Sequence, residues 1–223
     1  MSTLGVGDFV ASTDPWRIVT GAAAFSGLTF ITASITYFVP VLSAVGLESK
    51  LSLYISSMGK TPQQILANAW DGEGFASFLD RSPELCQMLL QHTLNHYSYP
   101  VIHYFHNNDP KMAIAPGVVL LDETHKLLRY AVSESVAKDE LKMEMLQTTL
   151  FTFLKMLKGN FIEKRELEEL VPLPSLENLS AKGIPLEEKD KVKNAFNLKL
   201  KEHRKKLTSL LEMDGWSWRN IYP

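Results

Sequence analysis

The chain has 223 residues, of which 45% are hydrophobic, 22% are charged and one is a cysteine. This length is sufficient for one or two domains with a sizeable core. The balance of 23 basic against 25 acidic residues lacks the basic excess of a general nucleic-acid binder, so no nucleic-acid partner is expected. The single Cys86 excludes an internal disulfide framework and a zinc site built from several cysteines.

The charged side chains are distributed very unevenly along the chain. Residues 1–47 hold only Asp8, Asp14 and Arg17, whereas 45 of the 48 charged residues lie between positions 48 and 223. No charge occurs over the thirty residues 18–47. Because about 20 apolar helical residues cross a hydrocarbon core about 30 Å thick, we predict one transmembrane helix over residues 16–47. The protein is then integral to the membrane, in contact with lipid.

Two other interpretations of the uncharged run fit the sequence less well. A cleaved signal peptide has a positively charged leader and an apolar core of about 7–15 residues. Here the leader contains two aspartates, and the apolar run is about twice too long. A buried core helix of a soluble domain normally keeps one polar face, which thirty uncharged residues do not provide.

The two sides of the predicted helix differ in side-chain size. Small or hydroxylated residues share one side, namely Ala22, Ser26, Thr29, Thr32, Ala33, Thr36, Pro40 and Ser43. Bulky residues share the other side, namely Leu28, Ile31, Ile35, Phe38, Val39 and Leu42. This sidedness indicates either close packing of small residues in a helix dimer or a helix that lines a water-filled path, and the pattern does not choose between them.

The segment before the helix carries a recognisable motif. Residues 2–9 read Ser-Thr-Leu-Gly-Val-Gly-Asp-Phe. This stretch resembles the selectivity filter of potassium channels, in which Thr, an aliphatic residue and Gly are followed by a residue that is usually aromatic, then Gly and Asp. Val6 departs from the usual aromatic residue. A polar turn and Trp16 follow, as an outer mouth and an interfacial aromatic residue would.

The resemblance to a two-transmembrane-type potassium channel implies a role for each matched residue. Residues 1–15 form the filter-like loop and outer mouth, with ion-binding groups at Thr3, Leu4, Gly5, Val6 and Gly7 and a carboxylate at the mouth, Asp8. Residues 16–47 form the inner helix, with pore-lining or hinge positions at Thr29, Thr32, Ala33, Thr36 and Pro40. The implied assembly is a homotetramer that conducts potassium passively, without enzymatic activity or a cofactor.

The resemblance also implies that further elements precede this chain. In the family, an outer transmembrane helix and a pore helix come before the filter, and the pore helix directs its dipole at the ion cavity. We therefore expect the sequence to be the C-terminal part of a channel. The alternative is a membrane-anchored helical interaction module without a pore.

Residues 48–223 predict a cytosolic all-helical domain attached to the cell inner membrane, so the fold class is all-α. Thr61-Pro62 and Ser82-Pro83 have the composition of helix starts, and residues 47–58 continue the membrane helix or begin a linker. Longer helices are predicted over 116–133, 136–158 and 187–213, the last with an apolar stripe on one side. The lone cysteine is consistent with the reducing, cytoplasmic side of the membrane.

Histidines are concentrated in one part of this domain, since five of the six lie between residues 92 and 125. His92 and His96 have the i, i+4 spacing that presents two imidazoles to one metal ion. Further candidate ligands of the same site are His103 and His106, with Asp122 or Glu123. The alternatives are ordinary core or capping histidines and a pH-responsive element. A membrane-tethered metalloenzyme would use the same cluster, but the His-Glu-x-x-His motif is absent.

Two further features near the C-terminus have several interpretations. The basic run over residues 191–206 fits contact with anionic lipid headgroups or the solvated face of an amphipathic helix. The aromatic residues Trp216, Trp218 and Tyr222 fit packing against the helical domain, a position at the membrane interface, or a partner site. Cys86 lies among apolar residues, so a buried, inert thiol is expected.

Overall fold

The computed structural model describes residues 11–160 and 171–223, and this part of the chain is all-helical. Its α-helices are α1 Asp14–Met58, α2 Pro62–Ala69, α3 Ala76–Leu79, α4 Ser82–Ser98, α5 Ile114–Tyr130, α6 Glu140–Asn160, α7 Glu177–Ala181, α8 Lys189–Asn194 and α9 Lys201–Met213. A 3₁₀ turn, Pro100–Tyr104, follows α4, and a π-helical turn, Ala195–Lys199, separates α8 from α9. The predicted all-α fold class is confirmed for these residues.

The first helix is much longer than the predicted membrane segment. α1 has 45 residues, begins at Asp14 and continues through the predicted linker to Met58 as one helix. The chain divides within α1 into two compact units, Met1–Ala44 and Val45–Pro223. Pro40 lies inside α1, where it has no N–H to donate.

Six hydroxyl groups of the first unit donate to carbonyls of α1 itself. Thr29 and Thr32 donate to the carbonyls of Phe25 and Leu28, each over 2.9 Å, and Thr36 donates to the carbonyl of Thr32 over 2.8 Å. A hydroxyl bonded in this way needs no water, so it is compatible with lipid or with a neighbouring helix.

Of the two helix caps predicted in the second unit, the one at α2 is confirmed and the one at α4 is wrong. At α2 the Thr61 hydroxyl accepts the Gln64 N–H over 3.1 Å, and Pro62 is the first helical residue, as predicted. At α4 the prediction of a Ser82 cap is wrong, because Ser82 is already helical and buried. The residue that precedes α4 is Arg81, which forms no side-chain cap.

The second unit is organised around α5, whose residues 114–128 are all buried. Gly117 lies where α5 approaches Ser52, near the C-terminal end of α1. A Cβ added at Gly117 would be only 3.3 Å from the Cα of Ser52, so a larger residue would separate the two helices. An all-round buried helix is ordinarily apolar, whereas α5 carries two adjacent carboxylates, Asp122 and Glu123.

These carboxylates are compensated by α9. Arg204 donates to both Glu123 oxygens, from Nε over 2.9 Å and from Nη2 over 2.8 Å, and both side chains are almost fully buried. The Tyr222 hydroxyl donates to Glu123 over 2.6 Å. Burial and the Glu123 carboxylate raise the pKa of Tyr222, so this hydroxyl stays protonated. Asp122 lies 2.8 Å from His203 Nε2, beside Arg204 in α9.

The C-terminal segment packs against the helices, which selects one of the three interpretations of the aromatic residues. Gly215 has a φ of +75°, a conformation that favours glycine, and it lets the Trp216 N–H donate to the Leu211 carbonyl over 2.8 Å. Trp218 is 2% exposed, donates to Thr208 over 2.9 Å and lies over the Arg204 guanidinium at 4.8 Å.

The last long helix departs from its prediction. Instead of one helix over 187–213, the chain forms α8, a π-helical turn and α9. The extra residue in the turn keeps the predicted apolar stripe facing the core, because Val192, Phe196, Leu200, Leu207, Leu210 and Leu211 are all buried. The additional helix α3, which the sequence analysis did not predict, has only four residues.

Removal of the Arg204 guanidinium is expected to destabilise the second unit strongly. Arg204→Ala leaves the Glu123 carboxylate buried without its cation, which costs about 3–5 kcal/mol of unfolding free energy. Chemical unfolding of the full chain in detergent micelles, followed by tryptophan fluorescence, measures this change. The control is Arg219→Ala, since Arg219 is exposed. Equal stability of the two variants would contradict the structural role of the pair.

Candidate histidine-lined site

One end of the second unit contains a small cavity surrounded by titratable side chains. Its volume is about 30 Å³, which is enough for one or two water molecules. The titratable groups that line it are Glu48, His92, His96, His103 and Asp214. Apolar side chains from α5, α6 and α9 complete the wall, among them Ile114, Phe153 and Leu210.

Four elements bring these groups together. α1 contributes Glu48, the first charged residue after the uncharged run. α4 contributes His92 and His96, which lie one turn apart and are 2% and 5% exposed. The 3₁₀ turn after α4 contributes His103, and Asp214 directly follows α9.

The imidazole rings form a row from the interior to the surface. Ring centroids are 6.2 Å apart between His92 and His96, and 5.7 Å apart between His96 and His103. The row continues from His103 to His106 over 6.2 Å, and His106 Nδ1 lies 3.3 Å from an Asp214 oxygen. The most buried imidazole is thus connected through its neighbours to an exposed one.

Burial shifts the protonation of this cluster. It raises the pKa of Glu48 to about 8, with a further contribution from the nearby Asp214 carboxylate. Burial also raises the pKa of Asp214. In the opposite direction, burial and the neighbouring His96 lower the pKa of His92 to about 4. Near neutral pH the cluster therefore holds a proton on Glu48, while His92 is neutral.

The two central imidazoles are also shifted towards the neutral form. Burial lowers the pKa of His96 and of His103, and in each case the next histidine of the row adds to the effect. Of the two groups with large shifts, Glu48 titrates near neutral pH and His92 well below it. Cys86 offers no nucleophile, because it is buried and burial raises the pKa of its thiol.

The predicted metal site at His92 and His96 is not assembled in this conformation. Among residues 11–160 and 171–223, no three His, Cys, Asp or Glu side chains are arranged to hold a metal ion. His92 Nδ1 is buried without a hydrogen-bond partner in the part of the chain that the structure covers. Metal binding by this pair stays a prediction, and it would require the side chains to rearrange.

The acidic residues suggested as further ligands lie elsewhere. Asp122 and Glu123 interact with His203 and Arg204, as described above, and do not line the cavity. His125 is also separate, since its Nε2 lies 3.0 Å from the Met143 carbonyl oxygen. The histidines of the sequence cluster therefore belong to two different environments.

The two acidic members of the site were not predicted from the sequence. Glu48 and Asp214 are 166 positions apart, and no local motif connects them. The position of Glu48 at the end of the uncharged run was a usable signal, since a charge there ends the apolar segment. Asp214 precedes Gly215 at a helix end and carries no comparable signal.

The predicted filter residues, Thr3, Leu4, Gly5, Val6, Gly7 and Asp8, lie outside the residues that the structure describes. The predicted pore-lining positions Thr29, Thr32, Ala33, Thr36 and Pro40 all lie in α1. Their hydroxyls are bonded to the helix backbone, so they can be explained without a water-filled path.

Comparison with known proteins identifies a similar membrane protein. The chain is 28% identical over 222 residues to an uncharacterised membrane protein of Bacillus subtilis (strain 168), YdjJ. The match covers 98% of this chain and 63% of the relative, so the chain spans less than two thirds of that protein's length. No family model matches, and no solved structure matches significantly.

These comparisons overturn the resemblance to a potassium channel. No channel family matches the chain, and its similarity extends over nearly the whole sequence to a membrane protein of another description. A six-residue Gly-x-Gly motif is short enough to arise in an ordinary turn, which explains the error. The ion-binding roles of residues 3–8 and the potassium-conducting homotetramer were inferred from that resemblance, and they lose their basis with it.

Replacement of Glu48 by glutamine is expected to change how stability depends on pH. Because the folded-state pKa of about 8 exceeds the ordinary value of 4.5, Glu48 makes the wild type lose stability as pH rises from 4.5 through 8. The lowered pKa of His92 acts oppositely, but only below its ordinary value of 6.5. The interval from 6.5 to 8 therefore separates the contribution of Glu48 from that of His92.

We expect Glu48→Gln to be more stable than the wild type at pH 8 by on the order of 1–3 kcal/mol, and the difference to shrink towards pH 6.5. Chemical unfolding of the full chain in detergent, followed by circular dichroism at both pH values, measures it. Glu73→Gln is the control, because Glu73 is exposed. A Glu48 variant with the wild-type pH dependence would show that this carboxyl is not perturbed.

Proposed function

We propose that the protein is a membrane-anchored helical interaction module, without a pore, whose second unit is held at the cytoplasmic surface of the membrane. The observation that carries this proposal is that large apolar side chains are exposed on several sides of α1 in the first unit. Examples are Ile18, Phe25 and Phe30, each more than 70% exposed. Water cannot accommodate such a surface, whereas a bilayer can.

The length of α1 and the name of the similar Bacillus subtilis protein support the same proposal. In the described part of the chain, α1 is the single helix that is long and apolar enough to cross a membrane. The similar protein from Bacillus subtilis is named a membrane protein. The second unit has its own core, and its buried Glu123 and Arg204 pair with each other, so the structure provides a reason for a folded unit outside the bilayer.

The proposed orientation rests on basic residues and on the thiol. Within fifteen residues of the uncharged run, Lys50 and Lys60 follow it and Arg17 precedes it, and an excess of lysine and arginine favours the cytoplasmic side. The free Cys86 is consistent with a reducing compartment.

Deletion of residues 18–44 is expected to move the protein from the membrane fraction to the soluble fraction. The full chain should remain in the membrane after alkaline carbonate extraction, because a spanning helix is not removed by high pH. In sealed inside-out vesicles, protease should digest the second unit without detergent. Release of the full chain by carbonate would contradict the anchor, and protection in these vesicles would reverse the proposed orientation.

We also propose that α1 associates with a second copy of itself within the bilayer. Small residues recur at alternating spacings of four and three along one side of α1, at Ala22, Ser26, Thr29, Ala33, Thr36, Pro40 and Ser43. This 3.5-residue period is that of left-handed helix pairs, and small side chains allow close approach in lipid. The internally bonded hydroxyls leave this side free to pack.

Enlargement of this side should weaken association. Ala33→Leu introduces a bulky side chain into the small-residue stripe, and we expect self-association to weaken roughly tenfold, which corresponds to about 1.4 kcal/mol. Energy transfer between differently labelled full-length copies in lipid vesicles measures it. Ala24→Leu is the matched control on the opposite side of the helix. Equal effects of the two substitutions would contradict packing through the stripe.

A further inference from the structure

A second uncharged stretch occurs within the charge-rich part of the chain. Residues 85–108 contain no Asp, Glu, Lys or Arg, although 45 charged residues are distributed over the 176 residues from 48 to 223. This stretch includes most of α4 and the 3₁₀ turn that follows it. One side of it supplies core residues and the buried histidines, which explains only part of the missing charge.

The same stretch exposes several large apolar side chains among uncharged polar ones. We define the aromatic edge as Leu94, Tyr97, Val101, Tyr104 and Phe105. Tyr97 and Tyr104 are 77% and 75% exposed, and Leu94 is 60% exposed. Val101 and Tyr104 are three residues apart in the 3₁₀ turn, so they lie above one another on the same side.

The direction of α4 determines where this edge lies in the second unit. Near the start of α4, Glu84 accepts a hydrogen bond from the hydroxyl of Tyr54 over 2.9 Å. Towards its end, His96 lines the same cavity as Glu48. α4 therefore runs opposite to residues 48–54 of α1, and the aromatic edge is at the end of the unit where Val45 begins it.

That end is the one to which the apolar segment is covalently attached. Glu48 is only four residues beyond Ala44, and Phe105 lines the same cavity as Glu48. At a rise of about 1.5 Å per residue, four helical residues span about 6 Å. If residues 18–44 cross the bilayer, the aromatic edge is therefore brought close to the lipid headgroups by chain connectivity alone.

We propose that the aromatic edge is a lipid-contact surface that inserts into the headgroup region of the membrane carrying the anchor. This inference rests on the proposed function, since it requires α1 to span the bilayer. Tyrosine rings combine an apolar body with a polar hydroxyl and are enriched at membrane interfaces. No charged side chain of this stretch has to be desolvated, so insertion of the edge buries apolar area without an electrostatic penalty.

The test places an environment-sensitive fluorophore at single cysteines in the full chain, in a Cys86→Ser background. The positions are Tyr104→Cys in the edge and Leu141→Cys as the control. Leu141 is equally exposed, at 76%, but it begins α6, and Leu157 near the other end of α6 lines the cavity. A third label, Leu28→Cys, reports on the span. The proteins are reconstituted in vesicles of phosphatidylcholine and phosphatidylglycerol.

We expect lipids with a nitroxide near the headgroup to quench the Tyr104 label severalfold more than the Leu141 label. Aqueous iodide should show the reverse order. Quenching at Leu28 by lipids that carry the nitroxide deep in the acyl chain, with equal behaviour of the other two labels, would overturn the edge and leave the anchor standing. Absence of quenching at Leu28 by these lipids would overturn both. A Tyr104 label shielded from iodide but not quenched by lipid would indicate a protein partner, and so would also overturn lipid contact.

Discussion

The second unit depends on the pairing of a buried carboxylate with a buried guanidinium. α5 is enclosed by other helices along fifteen residues, and this burial raises the pKa of Glu123, whereas Arg204, which meets both of its oxygens, lowers it and so favours the carboxylate. The guanidinium is itself covered by the Trp218 ring, and Tyr222 donates to the same carboxylate. One ion pair thus determines where α9 and the residues after it can pack.

The histidine-lined site also depends on the pairing of Glu123 with Arg204, although neither residue lines its cavity. Asp214 follows Arg204 by ten residues, and α9 connects them without interruption up to Met213. Once Arg204 is fixed on Glu123, the end of α9 places Asp214 beside His106 and close enough to raise the pKa of Glu48. The perturbed protonation at the cavity is therefore a consequence of helix packing that is decided elsewhere in the unit.

The sequence predicted local features well and long-range pairings poorly. The uncharged run, the Thr61 cap and the apolar stripe of the last helices depend on neighbouring residues, and all appear in the structure. The pairing of Glu123 with Arg204 joins residues 81 apart, and only the fold brings them together. The filter prediction was wrong for a different reason. A six-residue motif is too short to indicate a selectivity filter unless the surrounding elements of a channel are also present.

The pairing of α5 with α9 also has a consequence for the order of events during synthesis. When Glu123 has been made, the cation that neutralises it is still 81 residues ahead, and the hydroxyl of Tyr222 is 99 residues ahead. Until those residues are available, burial of α5 leaves a carboxylate uncompensated, so α5 stays partly hydrated in the nascent chain. Contacts of such high sequence separation slow folding. A membrane anchor that is synthesised first would keep this incomplete chain apart from other unfolded chains until α9 and Tyr222 have been made.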